Sequence, residues 1–272
     1  MSIPMLYAKS SLQDFMDYGS WDGLILVTTD QLHDVRSEWR EVIETHRQFD
    51  QATQSGVHLI PCSLAPQSRL ILCCVGGLDG EGDDLRLVQQ VAAQGMRRAL
   101  EAGVQRPCLQ VCIPPQFGHA LEAATFGTLS ALWVPLEARE LARGGSIEAL
   151  GVVCGDRADL EDETMRSSWI RWVTSIEIGR SIARDVTGTE PERMAPPKMA
   201  ALCKKVFKGT LVEVDVVKDR RTLEEEYPLL SSVARASWMV DRHQPRVIRL
   251  KYQGDENSQQ VVAFAGKGVT YD

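Results

Sequence analysis

No stretch of this chain approaches the roughly 20 apolar residues needed to cross a bilayer. Its start, Met1-Ser-Ile-Pro-Met-Leu-Tyr-Ala-Lys-Ser10, lacks the basic segment and apolar core of a secretory signal. Positive charge is in deficit: the net charge is −7, which opposes general affinity for nucleic acid or acidic membranes. Neither a membrane nor a nucleic acid is therefore an expected partner. Seven cysteines, an odd number with no paired C-x-x-C, argue against a disulfide framework or a zinc ribbon. Cys73, Cys74, Cys108, Cys112 and Cys154 lie in or beside apolar strand-like runs, as reduced core residues do. A reducing, cytoplasmic compartment follows as the default.

Motifs that carry chemistry are scarce over most of the length. The histidines, His33, His46, His58, His119 and His243, include no pair at i,i+4 and no H-E-x-x-H. No serine or cysteine sits in a nucleophile elbow. Gly76-Gly77-Leu78-Asp79-Gly80-Glu81-Gly82 lies where a phosphate cradle would, between a strand and a helix. It lacks the G-x-G-x-x-G and P-loop spacings, and Glu81, Asp83 and Asp84 would repel an anion. The expectation is a surface loop that binds no nucleotide. A small-ligand-binding domain built on the first 155 residues is a third alternative to the two readings given below.

What is present is an alternation of strand and helix signals, which implies a mixed or parallel sheet covered by helices, an α/β fold. Leu24–Val27, Val57–Ile60, Arg69–Val75, Leu109–Ile113 and Glu148–Val153 read as strands. Ser37–Phe49, Asp84–Ala102 and His119–Leu132 read as helices. A long helix follows, with Asp162 and Glu163 in its first turn. Met165, Trp169, Trp172, Val173, Ile176 and Ala183 form its apolar stripe, and Thr187-Gly188-Thr189-Glu190-Pro191 stops it. The two tryptophans read as packing residues or subunit contacts. Arg166, Arg171, Arg180 and Arg184 read as a solvated face, with an oligomer interface as the alternative.

After Pro196-Pro197 a short helix carries Met199, Leu202, Cys203 and Val206 on one face. Leu211–Val217 alternates as a half-buried strand, and Leu223–Glu226 is a helical turn or two broken at Pro228. Val247–Tyr252 and Val261–Ala265 complete the series as two adjacent strands. Three parts are expected: an amino-terminal α/β domain over 1–160, a linking helix over 161–189, and the incomplete beginning of a second domain over 190–272. From Glu190 onward there are only about three strands and two short helices, and a fragment below roughly 100 residues buries little surface.

The last residues are the most informative. Val261-Val-Ala-Phe-Ala265 runs into Gly266-Lys267-Gly268-Val269-Thr270-Tyr271-Asp272, so an apolar strand delivers a lysine and an acid to its carboxyl end. In open α/β sheets that is where catalytic groups collect. Ala265-Gly-Lys-Gly-Val-Thr-Tyr-Asp272 resembles the signature of the leucyl aminopeptidase, or cytosol aminopeptidase, family. Ile178-Gly-Arg-Ser-Ile-Ala-Arg-Asp185 and Pro245-Arg-Val-Ile-Arg-Leu-Lys-Tyr252 resemble two weaker motifs of that family, in the same order. The first half matches it only in the order of elements. One departure stands out: the family's Asn-x-Pro after Arg-Asp is replaced here by Thr187-Gly188-Thr189-Glu190-Pro191.

The resemblance implies a macro-like mixed-sheet amino-terminal domain, a linking helix and the beginning of an α/β zinc-exopeptidase domain. It implies a metal-dependent aminopeptidase that removes bulky apolar amino-terminal residues from peptides, two divalent ions (zinc or manganese) and a homohexamer. Lys267 and Asp272 would be metal ligands, with Asp272 bridging ions roughly 3.5–4 Å apart. A lysine amine donates to a metal only once deprotonated, which needs a nearby cation and a desolvated site. The family's remaining acidic ligands, its second lysine and its assisting arginine all lie beyond this motif, so no catalytic residue proper is expected within these 272 positions and the chain alone should be inactive. The alternative is a non-catalytic structural or regulatory homologue of the aminopeptidase subunit.

Overall fold

The apolar runs around Leu24, Leu70 and Leu109 lie side by side at the centre of one sheet. The computed structural model describes residues 3–17, 20–78, 84–141, 147–155, 157–254, 257 and 259–270. The chain divides into two units: Met1–Val134 with Ala138–Ala183, and Pro135–Glu137 with Arg184–Asp272. The elements begin β1 (Met5–Lys9), α1 (Leu12–Asp17), β2 (Gly23–Thr28), α2 (Ser37–Phe49), β3 (Gly56–Pro61) and β4 (Arg69–Cys74). They continue α3 (Leu85–Glu101), β5 (Pro107–Cys112), α4 (Ala120–Ala131), α5 (Leu136–Leu141), β6 (Ala149–Val153) and α6 (Glu163–Gly188).

The six strands order as β1-β6-β5-β2-β4-β3. All pairs are parallel except β3 with β4, where a short connection returns the chain antiparallel. A parallel sheet covered on both faces must be apolar at every position, and β2 is buried along its whole length. Its side chains alternate between faces. Ile25 and Val27, with Ile71, Cys73 and Leu109, pack under α3, α4 and α6 through Val88, Met96, Leu121, Ala124, Trp169 and Val173. Leu24 and Leu26, with Leu70, Leu72 and Cys108, pack on α1 and α2 through Leu12, Phe15, Trp39 and Ile43. The result is a helix–sheet–helix sandwich. Helices α3 and α4 meet closely because of a glycine: a Cβ on Gly127 would lie 2.2 Å from the Gln89 carbonyl oxygen. At the other end of the sheet the Asp22 carboxylate accepts from the amides of Gln105 and Arg106, both at 2.8 Å, and fixes the turn into β5.

The second unit holds α7 (Pro196–Val206), β7 (Val212–Val217), α8 (Arg220–Glu226), α9 (Pro228–Val233) and β8 (Val247–Tyr252). Pro196 and Pro197 open α7 at positions whose amides need no partner. Asp219 caps α8 by accepting from the Thr222 amide at 2.9 Å. β7 and β8 form a two-stranded antiparallel ladder, Val212 opposite Tyr252 and Val217 opposite Val247.

Two expectations are corrected. Val261–Ala265 is not a strand: residues 259–270 carry no regular secondary structure, and Val261, Val262 and Phe264 are almost wholly exposed. The composition suits a buried strand, but a strand is a property of a pair, and β8 is laddered only to β7. The apolar stripe of α6 is also displaced. Its buried line is Arg166, Trp169, Val173, Glu177 and Ser181. Met165, Trp172 and Ile176 are instead 45%, 49% and 41% exposed. The helix lies rotated so that Arg166 is buried, with both its Nη atoms bonded and its Nε without a partner among the described residues. Its guanidinium donates to the Ser10 hydroxyl and to the carbonyls of Leu160 and Glu161. Glu177 is buried about three turns on, 3.4 Å from Arg180.

Candidate metal centre

Lys267 lies in the exposed segment 259–270, with no described element beneath it. Asp272, the other expected ligand, and Tyr271 fall outside the described residues. Among the described residues no three His, Cys, Asp or Glu side chains are grouped to hold a metal ion. A lysine donor requires a desolvated pocket, and none surrounds Lys267 here. These residues do not by themselves fit a two-ion centre.

The two supporting motifs are ordered. Arg184 and Asp185 lie in the last turns of α6, and the departure Thr187–Pro191 forms its end, with Thr189 buried. Pro245-Arg246 leads into β8. The Arg246 guanidinium donates to the carbonyls of Gln244 and Pro245 at 3.2 and 2.7 Å, and burial lowers its pKa below the ordinary arginine value. Arg249 on β8 reaches Asp215, Glu226 and the Tyr227 hydroxyl, which accepts from Nη2 at 2.6 Å. These contacts hold a strand against a helix.

The remaining candidates read as structural. Gly76 takes φ +80°, as the exit from β4 requires. The middle of the glycine loop, 79–83, lies outside the described residues. At its far side Asp84 caps α3 and bonds Arg86, which holds its carboxyl below the usual range. Three histidines sit near carboxylates, His33 by Asp34 at 3.1 Å, His119 by Glu122 at 3.9 Å and His243 by Glu192 at 3.9 Å. Six of the seven cysteines are buried free thiols and Cys203 is half-buried. Burial pushes Cys112 and Cys154 up to about 11.

One constellation was missed. Glu122, in the first turn of α4, is buried and accepts from Arg157 Nη1 at 2.6 Å and from Trp169 Nε1 at 3.0 Å. Arg157 also grips Asp159, and the two acids raise its pKa above the ordinary range. This network ties α4, the exit from β6 and α6 at the carboxyl edge of the sheet. A sequence signal could have been the lone acid in an otherwise apolar Ala120–Ala131 helix.

Residues 181–272 match the model described as the cytosol aminopeptidase family, catalytic domain. A protein of Caenorhabditis elegans named as an aminopeptidase is 33% identical over 213 residues, 78% of this chain and 40% of that protein. The chain belongs to the cytosol aminopeptidase family. The Caenorhabditis match reaches well beyond the 92 residues of the catalytic-domain model, so sequence likeness to the family includes part of the first unit. Among solved structures, a mutant of tomato leucine aminopeptidase superposes with a TM-score of 0.69 at 12% identity, over 94% of this chain and 53% of that one. A bottromycin maturation enzyme, determined with manganese, superposes with a TM-score of 0.59 at 13% identity, over 85% of this chain and 45% of that one. At such identities the superpositions establish the α/β fold of the family. The chain spans about half the length, or less, of each of these proteins.

Proposed function

We propose that this chain supplies the amino-terminal domain, the linking helix over 161–189 and the beginning of the catalytic domain of a metal-dependent aminopeptidase. The enzyme would release bulky apolar amino-terminal residues from peptides in the cytoplasm, as a homohexamer. Lys267 and Asp272 would be two of the donors to a pair of divalent ions, zinc or manganese; two donors alone do not hold such a site. The observation that carries the reading is the family match over 181–272, which takes in the whole Gly266–Asp272 motif. The manganese named with a structural neighbour supports a divalent metal.

The test is metal content per subunit in the protein expressed from its complete coding sequence. Asp272→Ala should remove metal and activity together. Lys267→Arg should lose at least one metal, because guanidinium stays protonated and has no lone pair to give. Circular dichroism should be unchanged in both; Lys267 lies in an exposed segment. Two metals and full activity in both variants would refute the assignment. The non-catalytic reading is favoured by one observation, the loss of the family's Asn-x-Pro at Thr187–Pro191. A coding sequence that continues past Asp272 with Ser/Thr-Gly-Gly and then a lysine and an acidic run supports the enzyme; one lacking them supports the homologue without activity.

A further inference from the structure

The strand order β1-β6-β5-β2-β4-β3 makes the chain leave two neighbouring strands in opposite directions. From β2 it crosses by α2 toward β4, on the Leu24 and Leu26 face of the sheet. From β5 it crosses by α4 to β6, on the other face. The carboxyl ends of β2 and β5 therefore flank a topological switch point, where open α/β sheets bind small molecules. At the end of β2, Thr28 and Thr29 are buried, and neither hydroxyl has a partner among the described residues. Buried threonines elsewhere in this unit behave otherwise: Thr53, Thr125 and Thr128 each donate to a carbonyl three or four residues back. Alternation along β2 puts Thr28 on the α2 side, between Cys74 and Cys112 of the neighbouring strands. The last turn of α2 brings Arg47 to the same end. Its Nη1 donates to the Asp30 carbonyl at 2.7 Å, and its Nη2 lies 3.9 Å from the Cys74 sulfur. The guanidinium thus takes the backbone of Asp30 and leaves the carboxylate. Asp30 Oδ1 and Arg47 Nε are both buried and without a partner among the described residues. Buried polar groups are ordinarily hydrogen-bonded, and buried charges paired. An acid and a base this close that do not satisfy each other suit a ligand that carries both charges.

We propose that this crevice binds a small α-amino acid in its zwitterionic form. The ligand's carboxylate accepts from Arg47 Nε and the Thr28 hydroxyl, and its ammonium donates to Asp30 Oδ1. The flanking Cys74 and Cys112 favour a short side chain, as in glycine or alanine. The three protein atoms are sealed from solvent, so the ligand enters as the half-buried Arg47 side chain swings outward from the last turn of α2. The bonds it forms satisfy groups that the protein alone leaves unpaired. The site is made of first-unit residues only and does not rest on the activity proposed above.

The experiment is isothermal titration calorimetry of the 272-residue chain with glycine and with L-alanine. A dissociation constant at or below about 1 mM is expected for a ligand of so few atoms. Acetate and methylammonium, which offer one charge each, should bind about tenfold more weakly. Alanyl-alanine, whose charges stand further apart, should bind about as weakly as these. Asp30→Asn and Arg47→Met should each weaken L-alanine about tenfold. Thr28→Val, which keeps the shape, should weaken it several-fold while the melting temperature holds or rises, because an unpartnered hydroxyl leaves a buried place. No binding at about 10 mM glycine or L-alanine overturns the proposal. Acetate binding as tightly as L-alanine also overturns it and makes the crevice an anion site. Binding indifferent to Asp30→Asn and Arg47→Met places the ligand elsewhere and overturns it too. If a charge variant does not fold, Thr28→Val decides. Unchanged affinity, or a lowered melting temperature that marks the hydroxyl as bonded to buried water, then overturns the site.

Discussion

The first unit closes its core and the second does not. In the first, a six-stranded sheet is sandwiched between helices, and β2 is buried at every position. In the second, the described aliphatic residues that are buried are Met194, Ala195, Ala200 and Leu223. Leu211, Leu229, Val233, Met239, Leu250, Val261, Val262 and Phe264 are all more than half exposed. The sequences are similarly apolar in both, so composition does not make the difference. A side chain is buried by the partner opposite it, and the second unit's one sheet has two strands where the first has six. An isolated two-stranded ladder is marginal in water.

The largest test of this contrast is a matched pair of truncations. Ile25→Ala or Leu72→Ala in the first unit should cost about 2–5 kcal/mol, since each leaves a cavity in a wholly buried site. Leu250→Ala, on an exposed face of β8, should cost no more than about 0.5 kcal/mol. Urea unfolding followed by circular dichroism reads both. Equal losses would mean that β8 is covered in solution.

A smaller effect separates the polar contacts of the two units. Glu122→Ala removes the acceptor shared by Arg157 and Trp169 within the first unit. The expected loss is about 2 kcal/mol, because hydrogen bonds to a charged group are broken in a buried place. Arg249→Ala in the second unit breaks exposed pairs with Asp215 and Glu226 and should cost under about 1 kcal/mol. Trp169 fluorescence should report the first change and not the second.

How much of this contrast the sequence displayed depends on the kind of signal. Ser37–Phe49 and Val247–Tyr252 fall where the pattern puts them, because each is a run of one period between clear stops. β1 and α1 escaped notice: Met5–Lys9 is short and mixed, and becomes a strand only by lying parallel to β6. Val261–Ala265 failed in the other direction, with every local feature of a strand and no ladder to join. Lys267 and Asp272 were legible as a motif, since that depends only on adjacent letters. The Glu122–Arg157–Trp169 network was not, because its members are 35 and 47 positions apart.

The smallest expected effect concerns thiols. Cys112 and Cys154 belong to the first unit, and burial holds both at about 11 against an ordinary 9.0. The unfolded chain therefore loses these protons first as pH rises. Stability that is fully present below about pH 9 is lost as pH climbs through about 11. Thermal unfolding of the first unit should show that alkaline decline. Cys203 of the second unit, half-buried and raised only by its partial burial, should be the first thiol to react with a disulfide reagent at pH 8. Faster reaction at Cys108 or Cys112 would contradict the burial of the first sheet.

The central claim is that this chain carries two donors of a two-ion site and too few to complete it. The most direct measurement is hydrolysis of leucine p-nitroanilide by the 272-residue chain with added manganese or zinc, alongside its metal content. No turnover and no stoichiometric metal are predicted, since Lys267 lies exposed and no described acids are grouped beside it. Turnover that disappears in Asp272→Ala would contradict the account and show a complete centre within these residues.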